Sequence, residues 1–126
     1  MSSVDYFPTL LELAGVKMAT NEVADGVSLV PLLKQTGELP ARPLFWHYPH
    51  YGNQGGAPGG AVRLGDWKLI EWFDDARVEL FNLKSDIGEK ANVAAENAET
   101  VAKLRALLHA WQKDVGAIPT TPNPAY

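Results

Sequence analysis

Apolar positions recur along this chain with two different periods, which divide it into a helical first third, a strand-rich middle and a final helix. In the first third, four apolar residues are spaced three or four apart, as they are on one face of a helix. These residues are Val4, Phe7, Leu11 and Ala14. Ser2 or Ser3 can cap this helix and Gly15 can end it. A second, short helix is predicted at residues 26–34, capped by Ser28.

The middle of the chain has the composition of short strands. Residues 44–48 are rich in aromatic side chains and bounded by prolines, which is typical of a buried strand that stops sharply. Further strands are predicted near residues 61–64, 67–73 and 77–83. The turns between them, at residues 65–66 and 74–76, are tight, so these three strands form an antiparallel meander.

The last predicted element is an amphipathic helix at residues 98–115, capped near Asn97. Five apolar residues share one of its faces: Val101, Leu104, Leu108, Trp111 and Val115. One face of the sheet is the obvious partner for this helix. We therefore predict an α+β fold, in which a small antiparallel sheet of about four strands packs against a long C-terminal helix and short helices precede it.

Composition narrows the classes of function. The chain has 126 residues, 46% of them hydrophobic, which is enough for one compact domain. Its 11 basic and 15 acidic residues give a net charge of -4, so no overall field attracts nucleic acid or an anionic membrane. No apolar run has the length of about 20 residues that a membrane-spanning helix needs. The absence of cysteine excludes disulfides, thiolate metal sites and a cysteine nucleophile.

Four sequence blocks carry a family resemblance, and they follow one another in the family's order. They are VDYFPTLLELAG at residues 4–15, DGVSLVPLL at 25–33, RLGDWKLI at 63–70 and ELFNLKSDIGEKAN at 79–92. Together they resemble the closing segment of sulfatases. The resemblance implies that residues 1–40 pack on a catalytic α/β domain outside this chain, that residues 41–118 form the small C-terminal subdomain, and that residues 119–126 are an extended tail.

The chemistry of sulfatases requires groups that this sequence lacks. The family uses a formylglycine made from the cysteine or serine of a Cys/Ser-x-Pro-x-Arg motif, with calcium held by aspartates. None of the serines here, at positions 2, 3, 28 and 85, begins such a motif. Asp74-Asp75 is the only pair of adjacent aspartates, and we interpret it as a solvated turn. We therefore assign no catalytic or metal residue and expect this chain alone to be inactive. Formylglycine and calcium are expected in a full-length parent.

The loop after residue 48 is the best candidate for a contact with substrate, because loops of this subdomain often reach the pocket mouth in sulfatases. It contains five glycines and two prolines in residues 49–60, and long loops in compact domains are commonly functional. Its imidazole, phenol and amide groups suit sugar hydroxyls or a sulfate oxygen. The predicted substrate-binding residues are His47, His50, Tyr51, Asn53 and Gln54. An internal role in the strand is an equally good interpretation of His47.

Several other residues receive structural interpretations. We expect the aromatic side chains of the strands to form sheet core: Trp67, Trp72, Phe73 and Phe81. His109 is expected at the surface or the edge of the core. Arg63 and Lys68 are expected to pair across strands with Glu71 or Glu79. Three residues are expected to organise the loop before the last helix: Asp86, Glu89 and Asn92.

Two classes of function follow. In the first, the chain is the C-terminal part of a sulfuric ester hydrolase that acts on a sulfated small molecule or sulfated glycan. In the second, it is a non-catalytic module that binds glycans or assembles alone. A third interpretation is a relative among the phosphatases or phosphonate hydrolases, although the meander motifs are more typical of sulfatases. The resemblance implies a periplasmic, secreted or lysosomal parent. With residues 1–40 separated from a larger domain, we expect either self-association through the exposed N-terminal helix or mobility of that helix.

Overall fold

A computed structural model describes residues 1–53 and 55–121 of the protein. Contacts divide the chain into two compact units, Met1–Ala41 and Arg42–Tyr126, and each is described by itself. The predicted tail at residues 119–126 falls partly outside the described residues, since 122–126 are not among them. None of the described helices is long and apolar enough to cross a membrane.

The first unit contains two short helices. A 3-10 turn at Ser3–Asp5 leads into α1, Tyr6–Leu13, and α2 follows at Val30–Leu33. The helix expected at residues 26–34 is therefore too long by one turn. Long-range hydrogen bonds set the position of the residues before α2: the Val27 N–H donates to Asp5 Oδ1 in the 3-10 turn at 3.0 Å, and the Leu29 N–H donates to Thr9 Oγ1 on α1 at 2.9 Å.

Polar side chains, not apolar ones, fill the inner side of α1. Asp5 is fully buried and Thr9 is 4% exposed. Beside them, Gly26 approaches the backbone so closely that a Cβ atom there would lie 2.1 Å from the carbonyl oxygen of Val4. The blocks at residues 4–15 and 25–33 thus contact each other through the Asp5 carboxylate, the Thr9 hydroxyl and the backbone of Gly26, which has no side chain.

The predicted apolar face of α1 lies mostly at the surface. Val4 is 42% exposed, Phe7 is 49% exposed and Ala14 is also exposed. Leu10 and Leu13, which were not part of the predicted face, are more exposed than Phe7. Leu11 is half-buried. An apolar face of this size on an eight-residue helix is unusual for a surface that meets only water.

The second unit is an antiparallel sheet of four strands with one helix. The strands are β1 (Leu44–Tyr48), β2 (Gly59–Leu64), β3 (Trp67–Trp72) and β4 (Val78–Asn82). They neighbour each other in chain order. The helix α3 spans Ala98–Asp114 and packs on β1, β2 and β3. The predicted α+β fold, the meander and the long C-terminal helix are confirmed.

The core lies between α3 and one face of the sheet. Its five buried residues are Val62, Leu69, Leu80, Leu104 and Leu108. The sheet members among them occupy matching positions, with Val62 opposite Leu69 and Leu69 opposite Leu80. At the edge of this core the rings of Phe45 and Trp111 stack with centroids 4.9 Å apart. Trp67 packs against the same core, and Phe81 is 5% exposed.

Gly60 leaves little room for a side chain where the sheet meets α3. A Cβ atom on Gly60 would lie 3.0 Å from Nε2 of Gln112 and 3.2 Å from Cζ of Phe73. Both neighbours would have to move to admit even a methyl group. The end of the glycine-rich loop is therefore set by packing as well as by flexibility.

The loop between β4 and α3 is organised by the side chains expected to do so. Asp86 Oδ2 accepts hydrogen bonds from the backbone N–H groups of Lys90 and Ala91, at 2.8 and 2.9 Å. Asn92 Oδ1 accepts two more, from the backbone of Leu80 and of Ala94. This part of the last sequence block is structural.

The ion pairs predicted for Arg63 and Lys68 are wrong, because each of these side chains has a different partner. Lys68 pairs with Glu89, 2.7 Å from both carboxylate oxygens, because its side chain reaches past β4 to the loop that follows. Arg63 donates to the carbonyl of Gly65. Helix α3 begins after Asn97 as predicted, although the Asn97 amide donates back to the carbonyl of Val93 and does not cap the helix.

Candidate functional site

A groove of about 770 Å³ opens in the second unit beside the glycine-rich loop. Three stretches of chain form it: the loop after β1, the turn after β3 and the segment after α3. Its polar lining residues are His50, Tyr51, Asp74, Thr120 and Thr121. Its volume lies within the range of small-molecule sites in proteins.

The polar side chains of this groove make few contacts with the rest of the described chain. Within the described residues, the side chains of Tyr51, Asp74, Thr120 and Thr121 make no hydrogen bond or ion pair. His50 has one ring contact, an edge-to-face packing on Tyr48 with centroids 5.5 Å apart. These donors and acceptors are available to a ligand.

Apolar residues complete the groove: Pro49, Pro58, Phe73, Ile118 and Pro119. Phe73 comes directly after β3, and its N–H donates to the carbonyl of Pro58 at 2.9 Å. This bond fixes the end of the loop to the sheet. At the tip, Gly52 N–H donates to the carbonyl of Gly56 at 2.7 Å, which closes the loop on itself. The loop that carries His50 and Tyr51 is therefore tied down at its tip and at its end.

His47 lies on the helix-facing side of β1, and both of its ring nitrogens have protein partners. Nε2 is 2.9 Å from the carbonyl oxygen of Ile118 and Nδ1 is 3.2 Å from Nε2 of Gln112. The carbonyl can only accept, so Nε2 carries the proton and Nδ1 accepts from the amide. His47 thereby anchors the segment after α3 that forms one wall of the groove.

A second groove of about 280 Å³ shares Phe73, Pro119 and Thr120 with the first. Its lining includes His47 and Lys113. The ring of Phe73 packs against His47, with centroids 5.3 Å apart. Phe73 was expected in the sheet core, and it instead separates two surface grooves.

The five predicted substrate-binding residues are thus distributed unevenly. His50 and Tyr51 line the larger groove, and His47 lines the smaller one. Asn53 is exposed and is not part of either lining. Gln54 lies outside the described residues. Contact of these residues with substrate stays a prediction.

Two parts of the groove were missed from the sequence. Asp74 was interpreted only as a turn residue, and the segment 119–121 only as tail. Asp74 is indeed exposed in the turn, where Asp75 accepts a hydrogen bond from the Arg77 N–H. No motif marks either part, because the groove exists only once the turn and the tail are folded beside the loop.

His109 has a closer partner than a surface position suggests. Its Nε2 lies 2.6 Å from Glu71 Oε2, and Arg105 Nη2 lies 2.6 Å from Glu71 Oε1. Glu71 is 9% exposed. Burial alone would raise the pKa of Glu71, but the hydrogen bonds and charges of Arg105 and His109 outweigh it and lower the pKa.

The described residues do not fit the calcium and formylglycine of sulfatase chemistry. No group of three or more histidine or acidic side chains in residues 1–53 and 55–121 could hold a metal ion. Asp74 and Asp75 lie in an exposed turn, and no residue here occupies a formylglycine motif. These groups are expected from other parts of a parent protein.

The chain matches a family model described as "N-sulphoglucosamine sulphohydrolase, C-terminal" over residues 1–114. It is 32% identical to a sulfatase from Formosa agariphila over 123 residues, covering 86% of this chain and 22% of that protein. It is 33% identical to arylsulfatase K from Homo sapiens over 116 residues, covering 86% and 21%. The chain therefore spans about a fifth of these relatives.

Solved structures contain the same fold. One is a protein in complex with its substrate, D-glucosamine-2-N,6-O-disulfate. It superposes with a TM-score of 0.69 at 32% sequence identity, over 86% of this chain and 23% of that one. The similarity again covers one part of a larger molecule.

Proposed function

Because this chain belongs to the sulfatase family as a C-terminal segment, we propose that it completes a sulfuric ester hydrolase by supplying a substrate-facing wall. The substrate is a sulfated sugar. In this proposal the chain contributes packing and the loop at residues 49–58, while the nucleophile and the metal ligands come from the rest of the parent.

The groove beside the loop carries this proposal. Its polar groups have no partners among the described residues, and its apolar walls are held by backbone hydrogen bonds. Such a combination of a shaped apolar surface with a few convergent polar groups is typical of a ligand site. The similar protein that binds a disulfated glucosamine supports a sugar as the ligand class.

His50 and Tyr51 are the residues proposed to contact the substrate. His50 is oriented by the edge of its ring against Tyr48, and the Tyr51 side chain is 72% exposed at the groove. Both side chains can donate and accept hydrogen bonds. They would hold the part of the substrate that leaves with the ester oxygen, at a distance from the sulfur itself.

The test compares the 126-residue chain with the product of the whole open reading frame that contains it. Each is assayed for hydrolysis of a chromogenic aryl sulfate with calcium present. We expect turnover by the reading-frame product and only background by the chain. Turnover by the chain alone, or a reading frame without a Cys/Ser-x-Pro-x-Arg motif, would overturn the proposal.

A further inference from the structure

The larger groove has an unusual distribution of charge for a protein that handles anionic substrates. Among residues 1–53 and 55–121, its lining has one carboxylate, Asp74, and no lysine or arginine. The neighbouring cation, Arg77, lies over the Trp72 ring at 5.2 Å and is 3.6 Å from Glu79. Of the two described grooves, Lys113 lines the smaller. From the described lining, a ligand in the larger groove therefore meets a carboxylate but neither a lysine nor an arginine.

A sulfate group does not suit this lining. A sulfate ester offers only hydrogen-bond acceptors and carries a negative charge, and a carboxylate also only accepts. Bringing the two together costs electrostatic energy and forms no hydrogen bond. Sites that bind sulfate-like anions use arginine, lysine or backbone N–H groups at a helix end instead.

A sugar ring without sulfate suits the same lining. Its hydroxyls can donate to Asp74 and can both donate to and accept from Tyr51, Thr120 and Thr121. Its apolar face can pack on Phe73, whose position is fixed by the bond from its N–H to Pro58. The ring of His50 adds one more donor or acceptor at the groove wall.

We infer that this groove binds an uncharged, hydroxyl-bearing sugar unit of the substrate and disfavours a sulfated one. The inference rests on the proposed function and gives the groove a specific part in it: selection of the unit next to the sulfate ester. Asp74 is the residue that sets this selection, through its charge.

Nuclear magnetic resonance of the isotope-labelled 126-residue chain tests the inference. Methyl glucoside and methyl glucoside 6-sulfate are titrated separately at low salt, and backbone shifts are followed at His50, Tyr51, Phe73 and Asp74. We expect the neutral probe to bind more tightly by about fivefold, as one charge at a water-exposed site would give.

Two variants separate charge from fold. Asp74→Asn should bring the affinities of the two probes to within about twofold of each other, because the repulsion is gone. Asp75→Asn is the matched control: it removes the same charge from the same turn but can keep the acceptor for the Arg77 N–H. It should retain the preference of the wild-type chain.

Tighter binding of the sulfated probe would overturn the inference, as would the absence of shifts at the groove with either probe. The inference would also be overturned if Asp75→Asn abolished the preference for the neutral probe as fully as Asp74→Asn does. None of these results alters the aryl sulfate assay, so the inference can fail while the proposed function holds.

Discussion

The carboxylate of Glu71 on β3 accepts a 2.6 Å hydrogen bond from Nε2 of His109 on α3. Its other oxygen accepts one of the same length from Arg105, one helical turn earlier. These contacts join the sheet to the half of α3 that carries Gln112, which is the partner of His47. The same half of the helix leads to the segment after it. A buried charge thus helps to position one wall of the groove.

Replacing Glu71 should destabilise the second unit. Glu71→Gln leaves Arg105 and His109 without a negative partner at a largely buried position. We expect a loss of about 1–3 kcal/mol in the free energy of unfolding at neutral pH, measured by urea denaturation. Glu96→Gln, at an exposed residue, is the control and should change it by less than about 0.5 kcal/mol. Equal effects of the two changes would contradict this role.

The Glu71 network also predicts a pH dependence. Its pKa is held below the ordinary value of 4.5 in the folded chain. The stabilisation by this carboxylate is therefore fully present above pH 4.5 and is lost as the pH falls through the lower, folded pKa. We expect the difference in stability between wild type and Glu71→Gln to shrink below pH 4.5. A difference that stays constant or grows there would contradict the assignment.

Gly26 should be intolerant of any side chain. A Cβ atom at this position would lie 2.1 Å from the carbonyl oxygen of Val4. This oxygen belongs to the backbone, so it cannot move aside as the end of a flexible side chain can. We expect Gly26→Ala to cost about 3 kcal/mol and to remove hydrogen-exchange protection from α1. Gly37→Ala is the matched control, because the nearest atom to its added methyl lies 3.6 Å away. Retained protection in Gly26→Ala would show that the contact does not hold the unit together.

The exposed apolar face of α1 predicts self-association of the 126-residue chain. Phe7 and Leu10 are 49% and 63% exposed. Sedimentation equilibrium should show oligomers that the double change Phe7→Lys and Leu10→Lys converts to monomer. Val23→Lys adds the same kind of charge at an exposed apolar residue outside α1 and should leave association unchanged. A wild-type chain that is monomeric at every concentration would refute the prediction.

Local pattern was enough to predict most of the second unit. The tight turns and the alternation at residues 61–83 predicted the meander. The apolar spacing of α3 predicted which face meets the sheet, except at Val115, which follows the helix and is 53% exposed. The apolar pattern failed to predict the start of the second helix, where long-range hydrogen bonds set the local structure. The N–H groups of Val27 and Leu29 bond to Asp5 and to Thr9, about twenty residues earlier, and the second helix starts only after them.

The candidate site was predictable only in part, for a similar reason. His50 and Tyr51 were found because a glycine-rich loop and polar aromatic residues coincide. His47 has the same chemistry in sequence, yet its nitrogens are bonded to Gln112 and Ile118, more than sixty residues later. Asp74 is an ordinary turn residue until the loop and the tail segment fold beside it.

The most direct test of the account is a kinetic comparison of two substrates by the reading-frame product and its His50→Ala variant. Under the proposal, a sulfated disaccharide carries the neighbouring sugar unit that the groove binds, whereas a small aryl sulfate carries no such unit, so each enzyme has an internal control. We predict that His50→Ala lowers kcat/KM for the disaccharide by about tenfold and leaves that for the aryl sulfate unchanged. Equal values of kcat/KM for wild type and variant with the disaccharide would contradict a substrate-facing role for this groove.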